Sequence, residues 1–230
     1  MPIPEGLRDR PPRVLLFDLD GTLLDTAPDM YRALSTLLRE RHRDPVAYEL
    51  VRPRVSHGAA GVLRAGFADV GETEFDALRQ RFLQLYHDAL CVDTRLFPGM
   101  ERALDAIAAR GLAAGIVTNK AAWLTEPLID ALGLRARFAC VVSGDTVAER
   151  KPHPLPLLHA AKLAGAAPAE CVYVGDAARD VEAARAAGMP SLVARYGYLG
   201  PGEDPDAWGA DGAIDSPIEI ADWLVAARHR

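Results

Sequence analysis

Two aspartates one residue apart, Asp18 and Asp20, close the apolar run Val14-Leu15-Leu16-Phe17 and are followed by Gly21-Thr22. Two carboxylates this close repel each other, and the arrangement needs a cation, a proton or a lysine to persist. Asp176 follows a second apolar run, Val172-Tyr173-Val174, and Gly175. Oxygen ligands from Asp18, Asp20 and Asp176 suit a hard ion such as Mg²⁺, which keeps several waters as well. Asp180 lies one helical turn beyond Asp176. It is placed to hold a metal-bound water or a lysine rather than to be a direct ligand. Thr118 ends a third apolar run, and Lys151 sits in Arg150-Lys151-Pro152.

These residues need strand ends to hold them. Short, bounded apolar runs are the pattern of strands buried on both faces. The runs predict strands at Val14–Phe17, Ala113–Val117, Ala139–Val142, Val172–Val174 and Ser191–Ala194. Helical patterns separate the last four, as in an α/β fold with a parallel sheet flanked by helices. Ligands in such sheets bind beyond the carboxyl ends of the strands. The interval between the first two strands is far longer than a βα crossover needs, so a further unit is inserted there. It reads as helical. Met30, Leu34, Leu37 and Leu38 recur at helix spacing, Asp44-Pro45 reads as an N-cap and first helical position, and Phe75, Leu78, Phe82, Leu85 and Leu90 form a stripe over Glu74–Ala89. The expected organisation is an N-terminal stretch 1–12, a core of 13–27 and 95–230, and an all-helical insertion at 28–94.

The stretch Asp18-Leu19-Asp20-Gly21-Thr22 resembles the first motif of the haloacid dehalogenase-like (HAD) phosphohydrolases. Ile116-Val117-Thr118-Asn119 resembles the second, Arg150-Lys151-Pro152 the third, and Val174-Gly175-Asp176-Ala177-Ala178-Arg179-Asp180 the fourth. The resemblance implies a Rossmann-like core, with the insertion as a helical cap over the site. It implies a Mg²⁺-dependent phosphatase in which Asp18 attacks phosphorus, forming an aspartyl-phosphate. Asp20 would be general acid and base, touching the metal through its backbone carbonyl. Thr118, with the backbone amide of Asn119, would hold phosphate oxygens, and Lys151 would offset charge on both phosphate and Asp18. Lys120 faces either the site mouth or solvent, and Arg150 is read as surface. In the cap, the turn Ser56-His57-Gly58-Ala59-Ala60-Gly61 offers His57 as a substrate contact, with Arg64 as a second candidate.

The tail, Arg195-Tyr196-Gly197-Tyr198 through Trp208-Gly209-Ala210-Asp211, resembles the branch containing phosphoglycolate phosphatases and N-acetylmuramic acid 6-phosphate phosphatases, the latter serving peptidoglycan recycling. The chain departs from that branch at Ala60, where a basic residue is expected. The implied substrate is a small anionic phosphate ester, N-acetylmuramic acid 6-phosphate ahead of 2-phosphoglycolate. A sugar phosphomutase shares all four motifs, and a catalytically weak binding scaffold is the non-enzymatic alternative. A dehalogenase would lack the second acid, and a phosphonate hydrolase would want a cap lysine, of which residues 28–94 have none.

Composition narrows the classes. The chain has 230 residues, half of them hydrophobic, and a net charge of −6. No basic block offers a nucleic-acid footprint. No apolar stretch approaches the about 18 residues that span a bilayer, and the start of the chain lacks the apolar core of a signal peptide. The expectation is a cytoplasmic monomer or homodimer without membrane or nucleic-acid partners. Cys91, Cys140 and Cys171 lack Cys-x-x-Cys spacing, so neither disulfides nor a zinc site is expected. Cys140 and Cys171 read as core. His42, His87, His153, His159 and His229 show no metal-ligand spacing, and Trp123, Trp208 and Trp223 read as packing residues.

Overall fold

The apolar runs become strands in the computed structural model of the chain, which describes residues 3–4, 6–7 and 12–226. Most of the expected N-terminal stretch 1–12, and His229, lie outside those residues. The strands among the described residues are β1 (Val14–Phe17), β2 (Leu24–Asp25), β3 (Arg95–Leu96), β4 (Ala113–Val117), β5 (Cys140–Val142), β6 (Cys171–Gly175), β7 (Ser191–Ala194) and β8 (Gly212–Ile214). Six form one sheet in the order β5-β4-β1-β6-β7-β8, every neighbouring pair parallel. Alternation along β1 sends Leu15 and Phe17 into one core and Val14 and Leu16 into another. That is why β1 reads as uninterrupted apolar sequence: both of its faces are covered.

Helices supply the cover. The first face carries α5 (Met100–Ala109), α6 (Ala122–Ala131) and α9 (Ile218–Ala226); the second carries α7 (Leu155–Leu163) and α8 (Ala178–Ala186). Four more helices fill the stretch between β2 and β3. They are α1 (Ala27–Glu40), α2 (Tyr48–Val51), α3 (Gly58–Arg64) and α4 (Glu72–Asp88), with a 3₁₀ turn at Arg52–His57. The buried stripe Met30, Ala33, Leu34, Leu37 and Leu38 of α1 meets Phe75, Leu78, Phe82 and Tyr86 of α4. Asp44 caps no helix. Residues 43–47 are irregular, the Tyr31 hydroxyl donates to the Val46 carbonyl at 3.0 Å, and the next helix starts at Tyr48 after Ala47.

The two crossings between sheet and inserted helices are tied together. β2 and β3 form an antiparallel ribbon pairing Leu24 with Leu96 and Asp25 with Arg95. Asp29, wholly buried, accepts the backbone N–H groups of Val92, Asp93 and Thr94 and the Thr94 hydroxyl at 2.7 Å. Tyr198, from the tail after β7, reaches the same place. Its hydroxyl donates to Asp25 Oδ1 at 2.7 Å and accepts the N–H groups of Thr26 and Ala27 at 2.7 and 2.9 Å. One phenol therefore satisfies the first amides of α1, whose N-cap residue Thr26 makes no side-chain cap. The Tyr196 hydroxyl donates to the Thr22 carbonyl at 2.9 Å. Tyr198→Phe would leave two buried amides unpaired. The expected loss is about 1–3 kcal/mol of unfolding free energy, checked by urea denaturation; an unchanged midpoint would contradict the role given to this hydroxyl.

Candidate active site

β4, β1 and β6 are neighbours at the centre of the sheet, with Phe17 paired to both Ile116 and Val174. The residues just past these strands, Thr118, Asp18 and Asp176, therefore emerge side by side, in the crevice where parallel sheets bind ligands. Lys151 enters from the segment before α7, through a cis Lys151–Pro152 bond. Its ammonium lies 2.9 Å from Asp18 Oδ1 and 2.8 Å from Asp180 Oδ1. It also donates to the Val117 carbonyl at 2.9 Å and the Tyr173 hydroxyl at 2.6 Å. The Lys151 side chain has no exposed surface. Asn119 fixes that segment through a two-way pair: its Nδ2 donates to the Lys151 carbonyl at 2.8 Å, and the Lys151 N–H donates to its Oδ1 at 3.0 Å. The Asn119 side chain is thus occupied with positioning Lys151.

Asp18, Asp176 and Asp180 each bring a carboxylate oxygen to within 4.8 Å of the others, and all three residues are buried. Burial raises the Asp176 pKa to about 7, helped by the negative charges of Asp18 and Asp180 and opposed by hydrogen bonds from Ser56 and the Tyr198 amide. Burial also raises Asp18, against the pull of Lys151. The Asp176 carboxylate accepts from the Thr22 hydroxyl at 3.1 Å, the Ser56 hydroxyl at 2.7 Å and the Tyr198 N–H at 3.0 Å. Backbone packs against it as well. Gly21 has φ +87°, and a Cβ there would stand 2.2 Å from Asp176 Oδ2; a Cβ at Gly197 would stand 2.4 Å from Asp176 Cβ. Both positions require glycine because the carboxylate is so tightly enclosed.

Asp20 takes a different course. Its Oδ1 accepts from the Thr26 hydroxyl at 2.6 Å and from Lys120 Nζ at 2.9 Å. The Asp20 carboxylate is not part of the three-acid cluster. Lys120 also donates to the hydroxyl of Tyr86, on α4, at 2.9 Å. Burial works against its charge, but Asp20 and Tyr86 outweigh it and raise its pKa. Of the two settings open to Lys120, the structure takes the site. Thr118 Oγ1 accepts the Lys120 N–H at 3.1 Å, and its own proton remains to be donated.

A cavity of about 560 Å³ opens above Asp18, walled by sheet-end residues and by the inserted helices. Asp20, Thr118, Asn119 and His57 line it, but Arg64 does not. Arg64 lies over the Phe75 ring at 4.0 Å and pairs with Glu72, so it is spent on packing α3 against α4. The cations that do line the cavity with Lys120 are Arg79, Arg150 and Arg179. Arg150 is exposed, as expected, and also lines the cavity; sequence reasoning passed over Arg79 and Arg179. Trp123 lines the cavity at 45% exposure, beside His87 with ring centroids 5.2 Å apart. It is not the packing residue expected, because it stands at the rim where α6 faces α4. Trp223 is buried and Trp208 packs against a small cluster, as read from sequence. Cys140 and Cys171 are buried free thiols.

The model of the haloacid dehalogenase-like hydrolases matches residues 15–194. A phosphoglycolate phosphatase of Xylella fastidiosa is 44% identical over 94% of this chain and 95% of its own length. An N-acetylmuramic acid 6-phosphate phosphatase of Pseudomonas putida is 41% identical over 90% of this chain and 94% of its own. A crystal structure described as a predicted phosphoglycolate phosphatase, from Haemophilus somnus, superposes with a TM-score of 0.81 at 27% identity, covering 91% of this chain and 96% of that one. The chain belongs to the haloacid dehalogenase-like hydrolase family. It is an enzyme of the hydrolase class with that family's parallel-sheet fold. No helix among the described residues is long and apolar enough to cross a membrane.

The acid cluster fits a divalent cation. Its donors are all hard oxygens, and its members are held against their own repulsion with only one ammonium between them. This makes stability depend on pH in a stated direction. A folded pKa of about 7 for Asp176 stands above the ordinary value of 3.8. The proton-linked stability is complete below about pH 4 and is lost as pH rises through 7. A cation that replaces the proton should therefore raise the melting temperature more at pH 8 than at pH 5.5. Thermal melts with chelator and with Mg²⁺ at the two pH values check this; equal Mg²⁺ shifts at both would contradict it.

Proposed function

We propose that this protein hydrolyses a phosphomonoester through an aspartyl-phosphate on Asp18, with Mg²⁺ held by Asp18, Asp176 and the backbone carbonyl of Asp20, and with Asp180 supporting Lys151. The observation that carries the reading is the pairing of two differently furnished acids at one strand end. Asp18 is locked by Lys151, while Asp20 keeps Oδ2 without a hydrogen-bond partner among the described residues. In the first half, an oxygen of Asp18 forms a bond to phosphorus and the ester P–O bond breaks. The leaving oxygen keeps the electron pair and takes a proton from Asp20. In the second half, water bonds to phosphorus, its proton returns to Asp20, and the acyl-phosphate bond breaks, restoring Asp18 and freeing phosphate. Bound Mg²⁺ would neutralise phosphate charge. The Thr118 hydroxyl donates to a phosphoryl oxygen. Residues 28–94 act as a cap domain on a core of 13–27 and 95–230, and bring His57 and Tyr86 to the cavity.

The substrate we favour is N-acetylmuramic acid 6-phosphate, in keeping with the name of the Pseudomonas relative. The cavity lies within the about 300–1,000 Å³ of sites that enclose whole small molecules. A two-carbon acid would fill little of it, and the exposed face of Trp123 offers a platform for a sugar ring. The Xylella relative's name supports 2-phosphoglycolate as the second reading. Both esters carry a carboxylate, for which Arg79 and Arg150 are available on the walls. Hydrolysis of a panel of esters with Mg²⁺ tests the proposal. The sugar ester should give the higher kcat/KM. Trp123→Ala should lower it about tenfold for that ester and leave 2-phosphoglycolate within about twofold. Asp18→Asn should abolish all turnover in a variant that still folds, as circular dichroism checks. Turnover by Asp18→Asn, with deamidation excluded, would remove the nucleophile. A neutral sugar phosphate preferred tenfold over both acids would remove the carboxylate.

A further inference from the structure

We infer that Ser56 positions the acid Asp176 for its cation, and so links cation binding to the seating of the 3₁₀ turn Arg52–His57 on the sheet. The inference rests on the Mg²⁺ role proposed above for Asp176. Ser56 belongs to the inserted helices, yet its hydroxyl donates to Asp176 Oδ2 at 2.7 Å. The Tyr198 N–H donates to the same oxygen at 3.0 Å. A carboxylate oxygen has two lone pairs, so Oδ2 is fully engaged. Oδ1 accepts the Thr22 hydroxyl at 3.1 Å and no other donor among the described residues, which leaves it a lone pair for a cation. Three donors from three separate segments thus decide which oxygen Asp176 offers. Groups that orient a ligating carboxylate in this way set the affinity of the site, although they never touch the metal.

A second residue holds the same turn to the sheet. Arg52 donates to the carbonyls of Gly197 and Tyr196 at 3.2 and 3.4 Å, and its guanidinium lies 4.9 Å from the centre of the Tyr198 ring. The strip 196–198 is therefore gripped by the turn on one side and gives its Tyr198 amide to Asp176 on the other. The turn reaches one carboxylate by two routes, directly through Ser56 and at one remove through Arg52. Ser56 and His57 also line the cavity. A turn drawn away from the sheet would withdraw the Ser56 hydroxyl, leaving Oδ2 with a single donor and the carboxylate freer to rotate. The seated turn accordingly binds a cation more tightly than the withdrawn one. By linkage, the cation favours the seated turn by the same factor. Cation binding then steadies the cavity wall that carries His57, and Ser56 is a positioning residue that joins the two events.

The test uses Mg²⁺ alone, on the full chain and without substrate. Its Kd is read by titration calorimetry and from the rise of melting temperature with Mg²⁺ concentration. Ser56→Ala should raise the Kd about 10- to 100-fold, the range for residues that orient a metal ligand. Ser56→Thr, which keeps the hydroxyl, should restore most of the affinity. In the wild type, saturating Mg²⁺ should slow amide hydrogen exchange in the turn by about the same factor, and in Ser56→Ala that slowing should fall away. A wild-type Kd in Ser56→Ala overturns the inference. Turn exchange that ignores Mg²⁺ in the wild type also overturns it, and this measurement decides the question if Ser56→Ala does not fold. Asp176→Asn separates the inference from the reading beneath it. Mg²⁺ bound by Asp176→Asn as tightly as by wild type would remove Asp176 from the metal site and the inference with it. Affinity lost in Asp176→Asn but kept in Ser56→Ala would leave the metal role intact and overturn the inference alone.

Discussion

The site depends on one buried ammonium. Lys151 sits between Asp18 and Asp180 with no exposed surface, and without it those carboxylates would face each other and Asp176 in a dry crevice. Taking such ions out of water costs several kcal/mol each, and only close, fully hydrogen-bonded pairing offsets it. Other parts of the molecule serve that pairing. Asn119 fixes the Lys151 backbone, and Tyr173 and Val117 take up what the carboxylates leave. Asp180 is held in turn by the Ala177 N–H at 3.0 Å. The parallel order of β4, β1 and β6 delivers Val117, Asp18 and Tyr173 to this one point.

The inserted helices are joined to the same charge network. Tyr86 reaches Asp20 through Lys120, and Ser56 donates directly to Asp176. The junction between insertion and sheet is held by Tyr198, whose own amide donates to Asp176. Any displacement of the helices would therefore alter the surroundings of both acids. This is a physical link between what the cavity holds and the protonation of the groups below it.

Much of this was legible in the sequence, for identifiable reasons. Strands covered on both faces carry uninterrupted apolar runs, so β1, β4, β5, β6 and β7 stand out to within a residue or so. Asp18, Thr118 and Asp176 follow from their places at strand ends, and Lys151 from its motif. The ribbon β2–β3 was not legible, since two residues a side carry no periodicity. Asp44-Pro45 has the chemistry of a helix start, but a tertiary contact to Val46 holds the segment irregular. The place of Arg179, Arg150, Arg79 and Trp123 on the cavity was not legible, because the cavity is assembled from segments far apart in the chain. Arg179 did leave a signal: it lies three residues past Asp176 and immediately before Asp180. Arg64, the second candidate substrate contact, does not line the cavity because it finds a local partner in Glu72.

Lys151 is the cation that holds the buried carboxylates together. The most direct measurement is the unfolding free energy of Lys151→Met, without divalent cation, as a function of pH. Removing one partner of a buried ion pair costs about 3–5 kcal/mol. The account predicts a loss of that size at pH 7.5, shrinking as pH falls and the stranded carboxylates take up protons. A variant as stable as wild type at pH 7.5 would contradict it.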